Sequence, residues 1–196
     1  LAASEGLLTI SAFLLEAGAD INARDRWGGT PLRDAVREGH HAVAKLLRGR
    51  GAELGYTEVE TSAELCELAR TGCQERLALL VECGAPINAA DYDQRTCLHL
   101  AASEGNAPIV DFLLENGANV NARDRFGSTP LSDAIKHDHW ALADTIRKHG
   151  GQLLYSEEQA SGELCELARK GKKDALHHLV RCGAAINAAD YDQRTC

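Results

Sequence analysis

Methionine is absent from this 196-residue sequence. With no Met there is no initiator, so the sequence is expected to be a piece of a longer one. Aromatic residues are scarce at 5%, which excludes a core built on large flat rings. No apolar run approaches the roughly 18 residues that a membrane span needs, and the start shows no signal-peptide pattern. Excess base is also missing: 21 Lys and Arg face 29 Asp and Glu, a formal charge of −8. A nucleic-acid binder would normally carry a basic stripe. Seven cysteines are present, an odd count with no C-x-x-C. That spacing is a poor disulfide framework and a poor zinc ribbon. A reducing, cytoplasmic setting is the economical reading.

What is present is repetition. Shifted by 99 residues, positions 1–97 align with 100–196 without a gap, and 58 of the 97 pairs are identical. Leu1-Ala-Ala-Ser-Glu-Gly6 recurs as Leu100-Ala-Ala-Ser-Glu-Gly105, and 87–97 recurs unchanged at 186–196. A shorter period of 33 lies inside, since 25–32, 91–98 and 124–131 answer one another. Complete units then run 25–57, 58–90, 91–123, 124–156 and 157–189. Units 58–90 and 157–189 lack the tip, 58–63 having no glycine and no Thr-Pro, and start instead with Glu-Leu-Cys-Glu-Leu-Ala. They look like opening units, which makes 58–156 a complete three-unit block. By the same division 1–57 is the end of one truncated block and 157–196 the start of another, with junctions at 57/58 and 156/157.

Each unit reads as two helices. Thr30 and Thr129 are expected N-caps, with Pro31 and Pro130 at the first helical position. Gly39, Gly72, Gly105 and Gly171 are expected to end the first helix in the left-handed region, where Asp138 takes the place of glycine. Apolar residues at helical spacing mark the second helix, for example Ile109, Phe112 and Leu113. One such pair cannot bury its apolar face alone, and stacking against neighbours does so.

Thr129-Pro-Leu131, Ala101-Ala-Ser-Glu-Gly105 and Leu113-Leu-Glu-Asn-Gly-Ala-Asn-Val-Asn121, recurring at this period over the whole chain, resemble the ankyrin repeat. The resemblance implies an all-α solenoid of stacked antiparallel helix pairs with short β-hairpin fingers. It also implies non-enzymatic protein binding through the hairpin tips and the concave face of the first helices. Carried over by motif position, the tips are Arg26, Trp27 and Gly29, then Tyr92, Asp93 and Arg95, then Arg125, Phe126 and Ser128. The ends of the first helices give Arg37 and Glu38, Arg70 and Thr71, Ser103 and Glu104, Lys136 and His137, Arg169 and Lys170. Aromatics and Arg are the types that anchor interfaces. The alternative for Trp27, Tyr92 and Phe126 is packing back on the neighbouring finger. Basic character grows along the row toward the C-terminus, which points to a protein partner with acidic patches there.

Catalytic constellations are not found: no Ser lies in G-x-S-x-G and no Gly-rich phosphate loop occurs. The cysteines recur by duplication, and the acids Asp34, Glu67, Asp133 and Glu166 recur at one place in the first helix with no pocket implied. His99 takes the family's structural histidine position; for the remaining histidines a zinc site is the alternative to solvated surface. No cofactor, metal, nucleic acid or membrane is expected. The hairpin asparagines, Asn22, Asn88, Asn121 and Asn187, read as hydrogen-bonding turn residues. Both chain ends fall mid-unit, which suggests excision from a longer array or head-to-tail association of chains. The block around 65–127 also resembles the ankyrin segments of glutaminases, plant potassium channels and kinases. A regulatory or assembly segment of a larger enzyme or channel is therefore the second functional reading.

Overall fold

The structure, a computed structural model, describes residues 1–154 and 157–183, with side chains from 161 onward in the second stretch. The unit end expected at 184–189, the further start at 190–196, Asn187, Cys196 and Ser156 at the 156/157 junction lie outside the described residues.

The chain divides into two compact units, Leu1–Ala89 and Ala90–Cys196. The first contains α1 (Leu8–Glu16), α2 (Pro31–Arg37), α3 (His41–Gly49), α4 (Glu58–Thr71) and α5 (Gln74–Glu82). The second contains α6 (Cys97–Glu104), α7 (Ala107–Glu115), α8 (Pro130–Lys136), α9 (Trp140–Lys148), α10 (Glu157–Arg169) and α11 (Lys173–Arg181).

In the first unit α2 packs on α3 and α4 on α5, while α1 meets α3 and α2 meets α5. In the second, α6–α7, α8–α9 and α10–α11 are the pairs, and α6–α8, α7–α9 and α8–α11 join neighbouring pairs. Packing thus runs from each pair to the next one along the chain, as a one-dimensional stack requires. Leu32, Leu65, Leu77 and Leu80 are fully buried in the first unit; Leu98, Ile109, Leu113, Leu131, Ile135 and Ile146 are so in the second. Each such side chain contributes about 1.5–3 kcal/mol relative to exposure.

Local chemistry sets the helix ends. Thr30 Oγ1 accepts from the Arg33 N–H at 3.2 Å, and Pro31 occupies the first helical turn. Thr129 does the same for Ser132, and Ser132 Oγ in turn accepts from the Thr129 N–H at 2.9 Å. Gly72 and Gly105 end α4 and α6 in the left-handed region. Asp138 adopts that conformation without being glycine, at φ 64, and its carboxylate meets Lys172 Nζ at 2.7 Å.

Two features depart from expectation. The fingers form no strand among the described residues; an isolated antiparallel bridge joins Ala90 and Thr96. Each finger is a tight turn closed on an aspartate, too short to build a ladder. The tip-less segment 58–63 is helical. Thr57 accepts from the Glu60 N–H, and Glu60 accepts back from the Thr57 N–H at 2.9 Å. With that reciprocal cap and no Gly or Pro, α4 starts at Glu58 and runs 14 residues, where α2 and α8 have only 7. The Arg33–Glu60 ion pair at 3.1 Å and the α2–α5 contact cross the 57/58 junction inside the first unit.

Cys66, Cys73, Cys83, Cys97 and Cys182 are free thiols. Among the described residues no helix is long and apolar enough to cross a membrane.

Candidate functional site: fingertips and the first-helix row

Three fingers share one construction. Asp25 Oδ1 accepts from the N–H groups of Trp27 (2.9 Å) and Gly29 (2.7 Å). Asp91 does the same for Asp93 and Arg95, both at 2.9 Å, and Asp124 for Phe126 (2.9 Å) and Ser128 (2.7 Å). Aspartate suits this role because its short carboxylate reaches amides a few residues ahead. The Gly29 amide, above all, holds the Asp25 carboxyl below the usual carboxylate range. Apart from the aspartate carboxylate, the turn uses main-chain groups, so the other tip side chains are left to project.

They do project. Trp27 is 72% exposed, Tyr92 92% and Phe126 61%. In the first unit the Arg26 guanidinium lies 3.8 Å above the Trp27 ring. In the second, Arg125 joins two successive fingers. Its N–H donates to the Asp93 carbonyl at 2.8 Å, and its guanidinium meets the Asp93 carboxylate at 2.7 Å. The same guanidinium lies 4.6 Å from the Phe126 ring and 5.8 Å from that of Tyr92. Sequence reasoning named these residues but had no signal for the cross-finger pair. The tips are outward side chains flanked by Arg rather than rings packed under a neighbouring finger. Arg95 is half-buried, with its N–H in the Asp91 turn.

Along the first-helix row most charges are paired locally. Arg37 meets Glu38 at 3.0 Å and Asp34 at 3.4 Å. Arg70 pairs with Glu67 at 2.9 Å, and Thr71 Oγ1 donates to the Glu67 carbonyl. Ser103 Oγ donates back to the Leu100 carbonyl, and Glu104 is exposed. Lys136 Nζ donates to Ser128 Oγ at 3.1 Å, and the His137 ring lies on the Asp133 carbonyl. Arg169 and Lys170 both pair with Glu166 at 2.9 Å. The Arg169 hydrogen bond, then that of Lys170, draws the Glu166 carboxyl down to about 2. The basic end of the row therefore carries its own counter-charge. Sequence reasoning missed Arg33, which approaches the Tyr56 ring at 4.4 Å.

Histidines tie neighbouring elements together. His99 is fully buried; its Nδ1 accepts from the Thr96 N–H at 3.1 Å, so Nε2 carries the proton and donates to the Ser128 carbonyl at 3.2 Å. His40 Nε2 reaches the Ser4 carbonyl at 3.0 Å, and His139 Nε2 the Ser103 carbonyl at 3.1 Å. His178 stacks on Trp140 at 4.8 Å. Asn22 Oδ1 accepts from the Glu53 N–H, and Asn121 Oδ1 from that of Gln152. Among the described residues no group of three or more His, Cys, Asp or Glu could hold a metal ion.

Stacked helix pairs with projecting turn tips define a repeat protein of the interaction class. Family models for ankyrin repeats match residues 1–48 and 80–134. The chain belongs to the ankyrin-repeat family, whose repeats are protein–protein interaction modules. Relatives include an L-asparaginase of Dirofilaria immitis, 34% identical over 131 residues, covering 67% of this chain and 22% of that protein. A probable E3 ubiquitin-protein ligase XBOS33 of Oryza sativa subsp. japonica is 45% identical over 213 residues, covering 99% of this chain and 33% of that protein. The human neurogenic locus notch homolog protein 2 is 36% identical over 94 residues, covering 47% of this chain and 4% of that protein. The chain thus spans a minor part of the length of each of these relatives.

Proposed function

We propose that this chain is a non-enzymatic, cytoplasmic scaffold or adaptor segment that binds a protein through its fingertips and the concave face of its first helices. One observation carries the reading: Trp27, Tyr92 and Phe126 stand in solvent on turns that do not need them, each beside an arginine. Exposed aromatics flanked by Arg are costly to leave in water and are the types that dominate interface energies. The contact set comprises Arg26, Trp27, Arg37, Glu38, Arg70, Tyr92, Asp93, Arg95, Ser103, Glu104, Arg125, Phe126, Lys136, His137, Arg169 and Lys170, and the partner carries acidic patches. Free thiols at most described cysteines favour a reducing compartment.

Cross-linking capture on the immobilised chain, repeated with Trp27→Ala, Tyr92→Ala and Phe126→Ala together, tests the reading. It requires captured species that the triple variant loses; equal capture by both would overturn it. Reversing Arg169 and Lys170 to Glu slows association with that partner and flattens its salt dependence.

Two further readings have their own support. The relatives are several times longer than this chain and include proteins named as enzymes, which favours a regulatory or assembly segment of a larger enzyme or channel. Leu8, Ile10, Phe13 and Leu14 of α1 are exposed and are the apolar surface that head-to-tail association between chains would use. Light scattering over a dilution series decides the latter, and a strictly monomeric particle removes it.

A further inference from the structure

An open cleft of about 330 Å3 at the Trp27 tip is lined by Asp25, Trp27, Gly29, Arg33 and Arg37. Its one carboxylate, Asp25, stays ionised, with Oδ1 on the turn amides of Trp27 and Gly29 and its charge opposed by both Arg33 and Arg37, so two guanidiniums face one carboxylate in the lining. Its two guanidiniums are fixed by groups that do not line the cleft. Arg33 is held by Glu60 at 3.1 Å and by the Tyr56 ring, and Arg37 by Glu38 and Asp34. A guanidinium carries several N–H donors in a rigid fork, so each arginine retains donors beyond these pairs. Only 22% of the Arg33 side chain is exposed, which spares its charge much of the solvent screening a surface arginine suffers.

The second copy of the same repeat is an internal comparison. Asp124, Phe126, Ser128, Ser132 and Lys136 stand at the corresponding places. The turn is the same, but Ser132 replaces one guanidinium and closes its own helix cap. Lys136 replaces the other and is tied to Ser128. The finger and its helix therefore form without either arginine.

We infer that the Trp27 cleft is a subsite for an anionic side chain of the bound protein, a carboxylate or a phosphoryl group, held by Arg33 and Arg37 beside the indole. This rests on the protein-binding role proposed above and narrows it, since the partner must offer an oxyanion to this one finger. Two pre-oriented guanidiniums match a planar or tetrahedral oxyanion through paired N–H···O bonds, which ammonium groups do not reproduce. The indole face supplies apolar contact for the methylene stem.

Trp27 and Trp140 are the two tryptophans, so Trp140→Phe leaves Trp27 as the sole indole emitter. Three blocked peptides are titrated against that chain: a short oligoglutamate, a neutral peptide with one phosphoserine, and an oligolysine. The glutamate or the phosphoserine arm gives a saturable change in Trp27 emission, the stronger arm naming the oxyanion, and oligolysine gives none. Affinity falls about fivefold or more in Arg37→Gln and in Arg33→Lys, which keeps the charge but loses the fork. Lys136→Gln, at the matching place in the second copy, leaves it unchanged. Thermal melts confirm that each variant is folded. No saturable response to either anionic peptide overturns the subsite, and so does an equal loss in Lys136→Gln. The two readings fail separately, because the binding role itself stands or falls on capture by the fingertip triple variant.

Discussion

One turn after Asp133, Lys136 directs its ammonium group to Ser128 Oγ at 3.1 Å, and Asp133 Oδ2 is left buried without a hydrogen-bond partner. At the matching place in the first unit Asp34 is half-buried and paired with Arg37 at 3.4 Å. Burial pushes the Asp133 carboxyl up to about 6. Arg95, Lys136 and His137 oppose the rise, and Asp124 adds to it.

The sign of the consequence follows from that direction. A folded-state pKa above the unfolded value of 3.8 means that the fold favours the protonated acid. The stability this group supplies is complete below 3.8, declines as pH rises toward about 6 and is absent above it. Asp133→Asn keeps the neutral form. At pH 7.5 it should raise stability by on the order of 2 kcal/mol, and at acid pH by little. Denaturant melts at both pH values check this; a variant no more stable than the parent at pH 7.5 contradicts it.

His99 titrates in the opposite sense. Burial, the leading cause, lowers its pKa, so its contribution is present above the unfolded value and lost as pH falls through the folded one. His99→Ala removes the bonds to Thr96 and Ser128 and should cost about 2–4 kcal/mol near neutrality. A loss below about 1 kcal/mol in equilibrium unfolding would show that the bridge is unimportant.

Gln94 holds φ 59, where the corresponding Gly28 and Gly127 hold 81 and 80. A side chain in this region costs about 1–2 kcal/mol, offset in part by the flexibility glycine adds to the unfolded chain. Gln94→Gly should therefore stabilise by about 0.5–1 kcal/mol. Thermal unfolding reads this as a higher midpoint, and an unchanged or lower one argues against strain at the tip.

Gly39 and Gly105 form a matched pair. Their φ values are 75 and 74, but a Cβ on Gly39 meets nothing within 4 Å, whereas one on Gly105 falls 2.6 Å from the His139 ring. Gly39→Ala should cost only the backbone term, about 1 kcal/mol. Gly105→Ala should cost more by about 1–2 kcal/mol, because His139 must give up the Ser103 carbonyl. Equal losses in paired melts would mean that the histidine moves aside freely.

Much of this architecture is visible in the residues. The thirty-three-residue period fixes the pairing of helices, and Thr-Pro marks where α2 and α8 start. The helical reach of 58–63 was equally readable, since Thr57 and Glu60 stand three apart in the spacing of a reciprocal cap. The tip residues could be named from the motif, but their exposure could not, because a ring beside glycine fits either outcome. The Trp27 cleft was illegible because it joins Arg33 to Arg37 across a helical turn and sets both beside a side chain six residues upstream of Arg33. The burial of Asp133 could not be read either, since Asp34 holds the same motif position in a different environment.

The aspartate turn separates two kinds of selection. Asp25, Asp91 and Asp124 close their loops on main-chain amides, so the residue at the apex can be exchanged without disturbing the hinge that presents it. Trp27 and Asp93 already occupy the same address on different loops. A library varied only at these apices should keep one melting temperature while its members choose different ligands. Foldedness and taste would then drift independently.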